Sequence, residues 1–131
     1  MYKLEKKNYG VKITFAGAMT AEELMKWISE SRLLFKGLTE KFGVSVDMRG
    51  LKPLPGDAQK VMEEGQKMYK SFGMERSVVI LANPIITAQF KRIAKETGIY
   101  QWERYIDSSK IPNWEDVGTR WLVNNIDPDL N

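Results

Sequence analysis

The sequence predicts an α/β protein with a mainly parallel central sheet and flanking helices. An alternating segment at the N-terminus is typical of a β-hairpin, and beyond it amphipathic segments with helical spacing alternate with short apolar segments. The predicted order is hairpin, helix, strand, helix, strand, helix, strand, helix. Alternation of this kind is typical of parallel strands joined by right-handed crossovers.

The N-terminal hairpin is predicted from residues 2–7 and the segment VKITFAG, with the turn KNYG between them. Val11, Ile13 and Phe15 alternate with polar residues, so one face of the second strand is expected to be buried.

The segment MTAEELMKWISESRLLFKGL predicts the first helix. Thr20 and Glu23 have the spacing of a capping box, in which each side chain bonds a free backbone N–H of the first turn. Apolar residues then recur at helical intervals from Leu24 to Leu38, and Gly37 is expected to end or interrupt the helix.

Two further pairs of strand and helix follow. Residues 44–48 are short and rich in β-branched side chains, which favours a central strand with Asp47 near its C-terminal end. Residues 58–72 have the apolar spacing of a helix that ends at Gly73. Residues 77–83 are almost continuously apolar, which indicates a strand covered on both faces, and PIITAQFKRIAKETG predicts a third helix after it.

The C-terminal part supplies one more strand and one more helix. Residues 101–107 alternate weakly and predict an outer strand, and the last helix is expected to begin near Asn113. The predicted domain spans residues 1–125, and residues 126–131 are expected to form an extended tail because they are polar and interrupted by a proline.

The charge balance argues against a nucleic-acid partner. Twenty Lys and Arg face seventeen Asp and Glu, and the two signs are interleaved along the chain, which is typical of a solvated surface. A nucleic-acid binder more often gathers its positive charge into a patch or interleaves it with exposed aromatic residues.

Because the chain lacks two residue types that are common in active sites, we expect a binding protein rather than an enzyme. The chain has no cysteine and no histidine, which removes thiol nucleophiles, zinc sites built on these residues and the usual general base near neutral pH. Neither common phosphate-binding glycine motif occurs, so no cofactor is predicted. The N-terminal segment MYKLEKKNYG lacks the apolar region of a signal peptide, and no apolar segment approaches the roughly 20 residues of a membrane span, so we expect a cytoplasmic protein.

The loop after the strand at residues 44–48 is the most informative place for function. In open parallel sheets, functional loops gather beyond the carboxyl ends of the strands. Here the segment RGLKPLPG carries Arg49 and Lys52 on a loop that Pro53 and Pro55 stiffen, so it suits either an acidic partner or a purely structural connection. A receiver-type phosphoacceptor at Asp47, with Lys110 as its partner, is not expected, because the first parallel strand ends without the acidic pair that would hold magnesium. Asp47 is instead expected to accept hydrogen bonds from N–H groups of the following loop.

The hairpin KNYGVKITFAG with its capped helix, the strand VSVDMRGL with its loop and helix, and the later RSVVILAN together resemble the STAS family (sulfate transporter and anti-sigma factor antagonist), in particular its SpoIIAA-like members. The resemblance implies the STAS fold. In that family a serine at the start of the helix after this loop is phosphorylated by an anti-sigma kinase. Gly56 and Asp57 stand where the two serines of the family pattern would be, so this chain has no hydroxyl to phosphorylate there. Asp57 is interpreted either as a permanent negative charge at the phosphoserine position or as an ordinary N-cap.

Stand-alone SpoIIAA-like proteins, which end in a helix with a D-x-x-x-x-A-x-x-W-L-like pattern, are the subgroup that this chain resembles most. Asp107, Trp121 and Leu122 occupy comparable places. The resemblance to this subgroup implies a fold and not a reaction.

The sequence therefore predicts a soluble, non-catalytic STAS-like module that docks a protein partner through residues 49–62. Arg49, Lys52, Asp57 and Lys60 are the predicted partner-binding residues. The alternative is a carrier of a lipid or small apolar molecule, which would need an enclosed apolar pocket. The sequence does not determine the oligomeric state, and a homodimer is one of the possibilities.

Overall fold

The computed structural model describes residues 1–130 and consists of a five-stranded sheet with helices on both faces. The strands are β1 (Tyr2–Lys7), β2 (Gly10–Gly17), β3 (Phe42–Leu51), β4 (Met74–Leu81) and β5 (Glu103–Asp107). The helices are α1 (Ala21–Phe35), α2 (Gly56–Phe72), α3 (Pro84–Thr97) and α4 (Trp114–Asn124), and a short 3₁₀ turn spans Tyr100–Trp102.

The strands lie in the sheet in the order of the sequence, from β1 to β5. β1 and β2 pair antiparallel as the predicted hairpin, and β2, β3, β4 and β5 are parallel neighbours. The predicted α/β class with a mainly parallel sheet is therefore confirmed.

The helices divide between the two faces of the sheet. α1, α2 and α3, which connect the parallel strands, pack side by side on one face and cover the larger core. α4 covers β3, β4 and β5 on the other face, where Trp121 and Leu122 pack on Val78, Ile80 and Ile106. Because successive residues of β4 point to opposite faces, its almost continuous apolar sequence serves both cores.

Local signals explain most of the helix ends. Thr20 caps α1 by accepting a hydrogen bond from the Glu23 N–H at 3.1 Å, which is one of the two bonds of a capping box, while the Glu23 carboxylate pairs with the N-terminal ammonium group of Met1 at 3.1 Å. Gly73 ends α2 and Gly98 ends α3, both with a positive φ that glycine adopts without strain.

Some predicted boundaries were wrong. The strand predicted at residues 44–48 extends over Phe42–Leu51, because pairing with β4 already begins at Phe42 and pairing with β2 continues to Leu51. The strand predicted at 77–83 begins earlier, at Met74, and ends at Leu81. In the predicted strand 101–107, the first two residues belong to the 3₁₀ turn.

Candidate functional site

The four parallel strands end at the same edge of the sheet, which we call the rim. The loop of residues 52–55 leaves β3 at this rim and leads into α2. Its first residue is tied to the neighbouring strand, since the Lys52 N–H donates to the Gly17 carbonyl at 3.1 Å. The expected docking segment therefore lies where the parallel topology predicts it.

The side chain of Leu54 anchors the loop in the larger core, where it is only 3% exposed. The backbone of the same residue is held by two glutamines. Gln89 accepts from the Leu54 N–H at 2.9 Å and donates to its carbonyl at 3.2 Å. Gln59 donates to the same carbonyl at 2.8 Å. This loop is consequently fixed by the packing of Leu54 and the three hydrogen bonds to its backbone, in addition to the Lys52 bond and the two prolines.

The start of α2 corrects one interpretation of Asp57. The N-cap of α2 is Pro55, which makes no side-chain capping bond, so Asp57 lies inside the first turn and is not the N-cap. Its carboxylate accepts from the Ala58 N–H at 2.9 Å. The proline before Gly56 already has an extended conformation, and this lets the helix begin earlier than an aspartate cap would. Asp57 remains an acidic group at the positive end of the helix.

Arg49 is bound by its own strand. Its Nε and Nη2 atoms donate to the two oxygens of Asp47 at 3.0 and 2.9 Å, a bidentate ion pair. The Arg49 backbone N–H also donates to Asp47 at 3.1 Å, as expected for this carboxylate. Burial raises the pKa of Asp47, but the hydrogen bonds and charge of Arg49 outweigh burial and leave the pKa lowered.

The Arg49 guanidinium also lies 4.4 Å from the ring centre of Trp114, at the start of α4. It therefore faces the side of the sheet opposite α2, although 47% of its side chain remains exposed. Lys52, Asp57 and Lys60 are exposed on the loop and the first turns of α2. The structure thus groups three of the four predicted partner-binding residues and places Arg49 at their margin.

The three residues that carried the resemblance to the stand-alone subgroup all make contacts within the fold. Trp121 is buried in α4 and donates from Nε1 to the Ser77 carbonyl at 2.9 Å. Leu122 packs against Gly43. Asp107 accepts from the backbone and hydroxyl of Ser109 at 2.9 and 2.6 Å, and these bonds lower its pKa.

A recess of about 290 Å³ lies at the rim beside β4 and β5. Lys91, Asp107 and Lys110 line it together with the start of α3. The free N–H groups of α3 are already used, since Asn83 accepts from Ile85 and Ile86. In the described residues, no group of three or more acidic side chains is arranged to hold a metal ion.

Sequence reasoning missed a buried carboxyl group. Glu103 at the start of β5 is 5% exposed, and it accepts from the Tyr105 hydroxyl at 2.7 Å and from the Ser77 hydroxyl at 3.1 Å. Burial raises the pKa of Glu103 to about 7, although these two hydrogen bonds oppose the shift. The weak alternation of QWERYID was the available signal, because it puts Glu103 on the same face as Tyr105.

The larger core encloses very little free space. A cavity beside Glu103, lined mostly by apolar side chains, holds about 30 Å³, roughly the volume that one water molecule occupies in the liquid. Sites for small organic molecules usually hold about 300–1,000 Å³. This cavity is therefore too small for the ligand that the carrier alternative requires.

Within residues 1–130, no helix combines the length and the apolar character needed to cross a membrane. Comparison of the chain with protein-family models, with curated proteins and with solved structures finds no match in any of the three.

Proposed function

We propose that this chain is a non-catalytic interaction module that docks a protein partner through residues 49–62, as a STAS-like domain without a phosphorylatable serine. The observation that carries the proposal is the fixed loop at the rim. Leu54 is buried and bonded to Gln59 and Gln89, while Lys52 and Asp57 on either side of it are exposed. A loop that is already ordered loses little entropy on binding, which favours recognition of a folded partner.

The chemistry of the rim supports binding more than catalysis. Two carboxylates there, Asp47 and Asp107, have lowered pKa values because they accept hydrogen bonds from their neighbours. A general base near neutral pH needs a raised pKa and access to a substrate. Glu103 has the raised pKa, but it lies inside the core.

The order of elements supports the STAS-like part of the proposal. A hairpin followed by three parallel strands, with their connecting helices on one face, agrees with the elements that carried the resemblance. Asp57 would give the docking surface a permanent negative charge at the position that the family phosphorylates. Regulation by phosphorylation at that position is therefore not part of the proposed function.

Affinity capture from the native cell, with chemical cross-linking, tests the docking surface. We expect a partner that wild type captures to be lost from the variant Lys52→Glu/Lys60→Glu. The matched control is Lys67→Glu, which reverses one exposed charge in the second half of α2, outside residues 49–62. The captured protein is then purified, and its affinity for the double variant should fall about tenfold or more relative to the control. Identical partners and affinities for the double variant would show that docking does not use this surface.

A further inference from the structure

An open recess of about 450 Å³ lies at the opposite edge of the sheet from the rim. The end of α2, the start of β4 and the 3₁₀ turn before β5 form its walls. Its charged and aromatic lining consists of Lys41, Lys70, Glu75, Arg76 and Trp102. This volume falls within the usual range for sites that bind small organic molecules, about 300–1,000 Å³.

Trp102 gives the recess an accessible flat surface. Its side chain is 43% exposed, and Lys70 Nζ lies 5.7 Å from the centre of its ring. Tryptophan contributes large stabilisation when it is buried, and exposed tryptophans are characteristic of recognition surfaces, where a ligand covers the ring. The 3₁₀ turn therefore presents a stacking surface beside an ammonium group.

The only carboxylate in this lining is already paired. Glu75 lies 3.0 Å from an Nη atom of Arg76. The remaining donors of Arg76 bind the carbonyls of Trp121 and Leu122, both at 2.8 Å, at the end of α4. The charged groups of Arg76 and Glu75 are thus already bound within the fold.

The ammonium groups of Lys41 and Lys70 differ in this respect from Arg76 and Glu75. Within residues 1–130 neither forms an ion pair, and Lys70 makes one long hydrogen bond, 3.4 Å, to the Met74 carbonyl. A lysine in the last turn of a helix also complements the helix dipole. This role applies to Lys70, the basic residue in the last turn of α2, but it does not require a second ammonium group, that of Lys41, in the same recess as an exposed indole.

We propose that this recess binds a small organic anion that carries a planar ring. The ring stacks on Trp102, and the carboxylate or phosphate of the ligand is held by Lys41 and Lys70. Stacking and two ammonium groups together select molecules that have both features, because each interaction alone is weak at an exposed site. The site lies at the edge of the sheet opposite the docking loop, so it does not depend on the proposed docking function.

Titration of the purified chain with four probes, followed by tryptophan fluorescence and calorimetry, tests the proposal. The ring-bearing anions are 2-naphthoate and adenosine monophosphate, which distinguish a carboxylate ligand from a phosphate ligand. Naphthalene-2-methanol has a ring without charge, and inorganic phosphate has charge without a ring. We expect at least one ring-bearing anion to bind saturably, with an affinity at least about tenfold higher than that of either control probe.

Three variants link the binding to this recess. Trp102→Leu and Lys70→Met should each weaken the binding of the ring-bearing anion about tenfold. Lys95→Met should leave it unchanged, because Lys95 forms a similar pair with Tyr100, 4.8 Å from the ring centre, outside the recess. All three altered side chains are exposed, and thermal melts check that the variants are folded. No saturable binding of either anion, equal affinity for a control probe, or equal affinity in Trp102→Leu would overturn the proposal.

Discussion

The side-chain amide of Gln89 bonds both polar backbone groups of Leu54, accepting from its N–H at 2.9 Å and donating to its carbonyl at 3.2 Å. A residue of α3 thus fixes the conformation of a loop that joins β3 to α2. The exposed residues of the proposed docking surface are positioned through this contact between neighbouring elements.

Replacing Gln89 with leucine should loosen the loop. The substitution nearly conserves volume but leaves the Leu54 N–H without its partner, which costs about 1–3 kcal/mol for a buried group. We expect a decrease of this size in the free energy of unfolding and faster hydrogen exchange at the amides of Lys52 and Leu54, since the other two loop residues are prolines. Gln101→Leu is the matched control, because Gln101 is exposed and lies outside this contact. Unchanged exchange in the loop would show that Leu54 is held by its side chain alone.

The buried Glu103 predicts a pH-dependent stability. Its pKa is raised from 4.5 to about 7, so the native state keeps a proton that the unfolded chain has released. The free energy of unfolding should therefore fall as the pH rises from about 4.5 to about 7, by about 3 kcal/mol in total. Urea denaturation at a series of pH values measures this slope.

Glu103→Gln removes the titrating group and should flatten the profile over this range, so that the variant is the more stable protein at pH 8. Glu64→Gln, at an exposed position of α2, should leave the profile of the wild type unchanged. A variant with Gln at position 103 that keeps the slope would assign the pH dependence to another group.

The pair of Asp47 and Arg49 is expected to stabilise the fold. Arg49→Met leaves a mostly buried carboxylate without its bidentate partner, and we expect the free energy of unfolding at pH 7 to fall by about 1–3 kcal/mol. The lower half of this range is favoured because Arg49 is half exposed.

A double-mutant cycle with Asp47→Asn isolates the interaction of the two side chains. Since the native pKa of Asp47 is lowered, its contribution is present above its ordinary value of 3.8 and disappears as the pH falls below it. The stabilities of the wild type and Arg49→Met should therefore converge in acid. A difference that persists there would assign the effect to packing on Trp114 instead.

The sequence was sufficient for the fold class because two different periodicities were readable in it. The alternation around Ile13 predicted a strand with one buried face, and Thr20 predicted a helix start; both predictions are confirmed. The ends of β3 could not be predicted in this way, because strand pairing continues to Leu51 through residues that are not apolar.

The surroundings of individual side chains required the structure. Arg49 reads as a free charge on a loop, and its contact with Trp114 joins residues that are far apart in the chain. The contact of Gln89 with Leu54 is of the same kind. Lys41, Lys70 and Trp102 come from three separate segments, and only the folded chain places them around one recess. Periodicity carries information about which face a residue occupies, and it carries none about such long-range partners.

Replacing either of two glycines of α2 with alanine should change the free energy of unfolding, in opposite directions for the two positions. A Cβ atom at Gly65 would overlap the ring of Trp27, which packs there from α1 and is held by a 3.1 Å hydrogen bond from its Nε1 to the Tyr69 hydroxyl. Because that ring also contacts Phe15 and Tyr69, it has little room to move. Gly65→Ala should therefore lower the free energy of unfolding by about 1–3 kcal/mol through overpacking.

Gly56, the first residue of the same helix, is the matched position. A Cβ atom there would meet no other atom within 4 Å, and its φ does not lie in the left-handed region. Gly56→Ala should raise the free energy of unfolding by about 0.4–1 kcal/mol, because alanine has fewer conformations to lose from the unfolded chain. Urea denaturation of the two variants beside the wild type gives both values. If Gly65→Ala were as stable as Gly56→Ala, the close contact between α1 and α2 at Trp27 would have to be looser than the structure shows.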